Sequence, residues 1–312
     1  MVIKVERYST EDLLKVQAVK VSVISIEASI ESEKLHAIKK LLQANSEIRI
    51  VLIVDPATSA SEGKYSNLEI IRTLGEINHL TILAFGSVAL QDLNLLEGLT
   101  KLVSFRLDGN YKKDIDLGPL KNATGIEELE LEFGLSGAKQ IAFVNDLAHL
   151  RRIRVSALDL KAVPLNYGVE ELIITSTLKS PELLASIFPR LKMLTIGKAK
   201  GIDSFDFIAS LKGLQSLQIG HTSKLTNLPK MDDPLRLRSL HLVAVKQFDD
   251  LENILQFKQL EELKITEPTR MELSEFIKLK DIRSLKKVYA VFPTEAEDRA
   301  FQQMATQIGW EF

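Results

Sequence analysis

LQSLQI (Leu214–Ile219), LRSLHL (Leu237–Leu242) and LEELKI (Leu260–Ile265) follow one another at intervals of 23 residues. Each has apolar residues at its first, fourth and sixth places. In an extended chain successive side chains alternate between faces, so the fourth and sixth residues share one side while the third, fifth and seventh share the other. The first set is Leu or Ile; the second is mostly polar, as with Ser216 and Gln218 or Glu262 and Lys264. Every copy therefore predicts a short strand with one buried face. The constant spacing lets each strand return and lie parallel to its predecessor, at about 4.8 Å.

The pattern continues in both directions. Ten copies begin at Leu80, Leu102, Ile126, Leu150, Val169, Leu191, Leu214, Leu237, Leu260 and Leu285. The weakest is the last, LKKVYA, whose sixth place is only Ala290. A single match means nothing, since any amphipathic strand can produce it, but ten in register are specific. On these residues the chain resembles leucine-rich repeat proteins of the short class, with about 22 to 23 residues per repeat. The resemblance covers residues 80 to 290. It implies an α/β fold, a leucine-rich repeat solenoid with a curved parallel β-sheet on one face, short helices and irregular turns on the other, and a cap at each end. The family pattern LxxLxLxxN is completed only by Asn110, in LVSFRLDGN. That asparagine bonds backbone groups of neighbouring turns in the family, so hydroxyls such as Thr177 and Thr222, or water, are expected to substitute elsewhere.

Several return segments carry helix starts. Ser180-Pro181-Glu182 precedes LLASIF, and acidic residues open the stretches at Asp203 to Asp206 and at Asp249 to Glu252, which predicts short helices alternating with strands. At the C-terminus, Thr294-x-x-Glu297 is a capping box, and Phe301, Met304, Ala305 and Ile308 follow at helical spacing before Gly309. At the other end VSVISI and IRIVLIV read as buried strands. SEKLHAIKKLLQ between them reads as a helix with Leu35, Ile38, Leu41 and Leu42 on one face. These are two degenerate rungs or a separate α/β cap. The segment from Asp55 to Ser66 is expected to be the most mobile, and Ser66-x-x-Glu69 starts another helix. The expected organisation is residues 1–79 as N-terminal rungs or cap, 80–291 as repeats and 292–312 as a capping helix and tail.

Composition narrows the function. The 312 residues are 45% hydrophobic and 26% charged, and mean hydropathy is +0.04, the profile of a folded chain that buries a core. Forty Lys+Arg against 42 Asp+Glu give a net charge of -2, so no global excess attracts nucleic acid or anionic lipid. Cysteine is absent, which removes disulfides, zinc thiolates and cysteine nucleophiles and fits a reducing compartment. MVIKVERYSTEDLL lacks the apolar core and cleavage site of a signal peptide, and a cytoplasmic location is expected. Neither a membrane span nor a cofactor motif is present. Asp55-Pro-Ala-Thr-Ser59 departs from a metal-binding DxSxS pattern at Ala57. Glu128, Glu130 and Glu132 share one strand face and read as a solvated acidic rung rather than a catalytic set.

The outward face carries the functional expectation. Its third places run from Ile82 through Ser104, Glu128 and Arg152 to Lys287, and its fifth from Ala84 through Arg106, Glu130 and Arg154 to Tyr289. Charges alternate in sign across adjacent strands, as a salt-bridge lattice, a partner site, or both. Residues assigned to partner binding are Arg106, Asp108, Tyr111, Glu128, Glu130, Arg152, Arg154, His241, Lys264 and Tyr289, since Arg and Tyr dominate interface hot spots. The resemblance implies a non-enzymatic module that binds another protein, in its narrow form an inhibitor or toxin-immunity protein. A scaffold or self-assembling protein is the alternative, and an unrecognised hydrolase a further one. A monomer is expected.

Overall fold

The fourth and sixth motif residues are where the chain is driest. The computed structural model describes residues 1–28, 30–55, 66–135, 137–163, 168–266, 271–292 and 294–312. They form two compact units, Met1–Val155 and Ser156–Phe312.

In the first unit, strands β1 (Val2–Lys4), β2 (Val23–Ile26), β3 (Arg49–Val54), β4 (His79–Ala84), β5 (Ser104–Gly109), β6 (Glu128–Leu131) and the start of β7 (Arg152–Asp159) pair in chain order, every pair parallel. Two inward columns run across them. One joins Ile3, Ile24, Ile50, Leu80, Phe105, Leu129 and Ile153; the other ends with Ile82, Leu107, Leu131 and Val155. None of these side chains is more than 1% exposed, and each contributes about 1.5–3 kcal/mol by leaving water. Helices α1 (Thr10–Lys15), α2 (Ser32–Ala44), α3 (Ser66–Leu74) and α4 (Ala138–Asn145) lie in the connections. Ile38, Leu41 and Leu42 of α2 are buried as its periodicity predicts, joined by Ala37, whereas Leu35 is half-buried.

This pairing corrects the first copy. Leu80 aligns with Phe105 and Ile82 with Leu107, so Leu80 occupies the fourth place and the copy begins at Ile77. Ile82 and Ala84, expected outward, are 0% and 1% exposed, whereas Phe85 is 53% exposed. Ile77-x-x-Leu80-x-Ile82 satisfies the same pattern. So does Val21-x-x-Ile24-x-Ile26 in β2.

The second unit repeats the plan with β8 (Glu171–Lys179), β9 (Met193–Ile196), β10 (Ser216–Gly220), β11 (Ser239–Val243), β12 (Glu262–Thr266) and β13 (Lys287–Val291). Leu172, Leu194, Leu217, Leu240, Leu263 and Val288 form its central inward column. The expected short helices are mostly single 3₁₀ turns, including Asp206–Ser210 and Glu252–Gln256; after Ser180 comes such a turn and then one α-helical turn, α5 (Leu184–Ile187). A 3₁₀ turn climbs about 2 Å per residue, which suits return paths this short. The last helix, α6 (Glu295–Ile308), is capped by Thr294, whose Oγ1 accepts from the Glu297 amide, and ends at Gly309 in a left-handed conformation. Phe301 packs against Phe276 and Phe292. Glu311 pairs with Lys287 beside β13.

Turns after the strands show what replaces the missing asparagines. Asn110 itself donates from Nδ2 to the Gly86 carbonyl at 3.0 Å. One residue earlier, the Gly109 amide donates to Glu132 at 2.5 Å, and the equivalent Ala244 amide donates to the Thr266 hydroxyl at 3.0 Å. Thus the seventh residue of one copy supplies the acceptor for the eighth of the copy before it. Thr222 accepts from the Lys224 amide within its own turn. Gly109 cannot be replaced cheaply: φ is +93°, and an added Cβ would collide with the Ala84 carbonyl.

Candidate functional site

Strand alternation fixes which side chains leave the core. On the first unit the outward third place runs Arg49, His79, Ser104, Glu128 and Arg152, and the fifth runs Val51, Thr81, Arg106, Glu130 and Arg154. Glu130 lies between two of the predicted arginines, 3.6 Å from Arg106 Nε and 3.5 Å from Arg152 Nη2. Arg106 also donates from Nε to Asp108 at 2.6 Å. That bond, ahead of the nearby carboxylate charges, pushes the guanidinium pKa further up. The charge lattice is therefore real for Arg106, Asp108, Glu130 and Arg152. Arg154 differs. It is exposed and makes no ion pair or hydrogen bond among the described residues, although it lies opposite Glu130 in the register. Glu128 faces Arg152 in the same way.

Tyr111 is not part of the exposed face. It is 3% exposed, its hydroxyl accepts from the Phe133 amide at 2.9 Å, and its ring packs against that of Phe133, centroids 4.7 Å apart and planes tilted by 48°. Burial pushes its pKa up to about 12. Tyr111 follows the end of β5, where strand alternation no longer says which way a side chain points.

Sequence reasoning missed Arg49 and His79. Arg49 reaches from β3 over the buried hydroxyls of Thr81 and Ser104, at 3.3 and 3.4 Å. His79 Nε2 lies 3.7 Å from Glu47, while its Nδ1 is buried and has no hydrogen-bond partner among the described residues. Burial, then the Arg49 charge, pushes the imidazole pKa down, against the smaller opposing pull of Glu47 and Glu128. Starting the copy at Ile77 would have placed His79 and Thr81 outward.

On the second unit, His241, Lys264 and Tyr289 lie side by side in the fifth place of β11, β12 and β13. Lys264 Nζ sits 4.9 Å above the Tyr289 ring, and Tyr289 remains 45% exposed, as does Met193 on β9. Between them Thr195, Ser216, Gln218 and Ser239 are half-buried. Ser239, His241 and Glu262 bring together the residue types of a nucleophile, a base and an orienting acid. Both oxygens meet the same ring nitrogen, Nε2, at 3.2 and 2.9 Å. A proton relay needs them on opposite nitrogens, so this is a polar cluster and not a catalytic triad.

No group of three His, Asp or Glu side chains among the described residues is placed to hold a metal ion. No described helix is long and apolar enough to cross a membrane. The sequence comparison of Asp55 to Ser59 with a metal loop falls largely outside the described residues, as does most of the loop expected to be mobile.

No family model matches the chain, and no curated protein is detectably similar in sequence. Solved structures are similar in backbone. An internalin from Listeria monocytogenes aligns over 96% of this chain and 90% of its own at 14% identity, with a TM-score of 0.49. The chain in a TLR13–ssRNA13 complex aligns over 92% of this chain at 16% identity with a TM-score of 0.48, and this chain spans 42% of it. A Leptospira interrogans leucine-rich repeat protein aligns over the whole of both chains at 12% identity, with a TM-score of 0.38. With its motif copies each placed on a parallel strand and their leucines inward, this chain is a leucine-rich repeat protein by fold.

Proposed function

We propose that the chain is a non-enzymatic protein-binding module that holds a partner on the outward faces of its strands, acting without a cofactor, as a monomer in a reducing compartment such as the cytoplasm. The observation that supports this most directly is Arg154, an exposed guanidinium that makes no ion pair or hydrogen bond among the described residues, beside a network in which Arg106 and Arg152 are already engaged. A partner carboxylate meeting Arg154 displaces no ion pair among the described residues. The exposed Tyr289 ring, with Lys264 over it, offers the second unit's contact of the kind that anchors interfaces. Tyr111 is left out of this site because it is buried.

The narrower form, an inhibitor or immunity protein, requires tight one-to-one binding, whereas a scaffold binds several partners weakly. The test is affinity capture followed by titration of the captured protein against wild type, Arg154→Glu and Tyr289→Ala. Reversing Arg106 or Arg152 would also break the Glu130 network, so Arg154 is the cleaner probe. Binding weakened about tenfold or more by Arg154→Glu, with unchanged thermal stability, supports the site. Unchanged affinity in both variants removes the outward faces as the binding surface.

A further inference from the structure

The balanced charge of the whole chain, -2, conceals a local excess. It lies where β9 to β13 begin. Residues 189–192, 212–215, 232–238, 258–261 and 281–286, with Glu170, contain eight basic side chains and five acidic ones. Ion pairs occupy four of the acids: Lys192 lies 2.8 Å from Glu170, Lys212 4.0 Å from Asp232, Arg236 3.4 Å from Asp233 and Arg238 3.6 Å from Glu261. Arg190, Lys258, Arg283 and Lys286 are exposed and make no ion pair among the described residues; Asp281 is the one acid in the same position.

The surplus is gathered around two open cavities of the second unit. One, of about 510 Å³, is lined by Arg190, Lys192, Lys212 and Arg236 together with Gly213, Gln215 and the ion-paired acids Glu170 and Asp233. The other, of about 460 Å³, is lined by Lys258, Gln259, Arg283 and Ser284 together with Asp281. Arg238 donates to the side chain of Gln259, a residue of the second cavity, at 2.7 Å and to its carbonyl at 3.2 Å. Leu235, next to Arg236 in the chain, is 54% exposed and adds an apolar contact.

We infer that this margin docks an acidic, extended segment of a protein, one that intersperses carboxylates with an apolar side chain. Five strand starts span about 19 Å at the usual strand spacing, which about six extended residues cover. Unpaired cations attract carboxylates without first having to release internal partners. A nucleic-acid strand fits less well. The stretches contain no aromatic residue on which bases could stack, and the interleaved carboxylates oppose a continuous line of phosphates while leaving room for separate carboxylates. The surface is distinct from the outward strand faces, and neither proposal depends on the other.

The experiment is a fluorescence-anisotropy titration of a fluorescein-labelled eight-residue peptide of glutamate and leucine against the full chain. Its comparison proteins are the triple variant Arg190→Glu, Lys258→Glu, Arg283→Glu, the milder triple change to Gln, and Lys40→Glu on helix α2 of the first unit as a control elsewhere. All are first checked for wild-type circular dichroism. Saturable binding that weakens about tenfold or more in the Glu variant, falls by less in the Gln variant, persists in Lys40→Glu and declines between about 50 and 300 mM salt is the expected result. Absence of saturable binding, equal loss in Lys40→Glu, or tighter binding of a single-stranded oligothymidine of similar length would overturn it. If the Glu variant fails to fold, the Gln variant decides.

Discussion

Glu130 is shared between two guanidiniums on different strands, 3.6 Å from Arg106 and 3.5 Å from Arg152, and its own side chain is only 13% exposed. The arginines stand on either side of β6, so without the carboxylate they would face each other across it. Glu130→Ala is expected to destabilise the chain by about 1–3 kcal/mol, between the small value of a surface pair and the larger cost of stranding a buried charge. The urea unfolding midpoint reads this directly. Arg154→Ala, which removes an exposed side chain with no ion pair among the described residues, should shift it by less than about 0.5 kcal/mol. Equal effects of the two substitutions would show that the network contributes nothing.

His79 makes stability depend on pH in a definite direction. Burial and the neighbouring Arg49 charge hold its folded pKa below the ordinary value of about 6.5, with Glu47 and Glu128 opposing more weakly. As pH falls below about 6.5 the unfolded chain takes up the proton first, so the unfolded state gains. The contribution is complete above that pH and is lost as pH falls toward the folded pKa. Unfolding midpoints compared at about pH 7.5 and about pH 5 should drop less for His79→Gln than for wild type. Identical pH slopes would remove His79 as a source of the dependence.

The register of β4 separates what the sequence could and could not reveal. Ile82 is fully buried and Phe85 is 53% exposed, although the copy counted from Leu80 places them the other way round. Both LTILAF and INHLTI satisfy the motif, and β4 is apolar enough that alternation alone cannot choose. Ile82→Ala should cost about 2–5 kcal/mol, whereas Phe85→Ser should stay within about 0.5 kcal/mol. Reversal of that order in chemical denaturation would restore the other register.

Further along, polar residues alternate cleanly with leucines, and the outward columns through Arg106, Glu130 and Arg152 were legible because a period of two leaves one choice. Tyr111 was not legible. It lies beyond the strand, where a turn decides its direction, and its ring fills space against Phe133. That Arg154 makes no ion pair among the described residues was equally hidden, because facing Glu130 in register does not specify which carboxylate rotamer forms.

Repeat architectures spread stability over neighbouring rungs, so damage at an end is felt locally. Phe301 of α6 is 1% exposed and meets Phe276 at 5.4 Å and Phe292 at 5.6 Å, which ties the helix to the last rung. Phe301→Ala removes that triangle and is expected to cost about 3–5 kcal/mol. Amide exchange should rise first in α6 and β13, where the Val288 amide donates to the Glu311 carbonyl and the Glu311 amide to that of Lys286. Strands β1 to β4 pair only with first-unit neighbours and should keep their protection at the same denaturant concentration. Uniform loss of protection from β1 to β13 would show that the chain unfolds as one cooperative body and that α6 is more than an end cap.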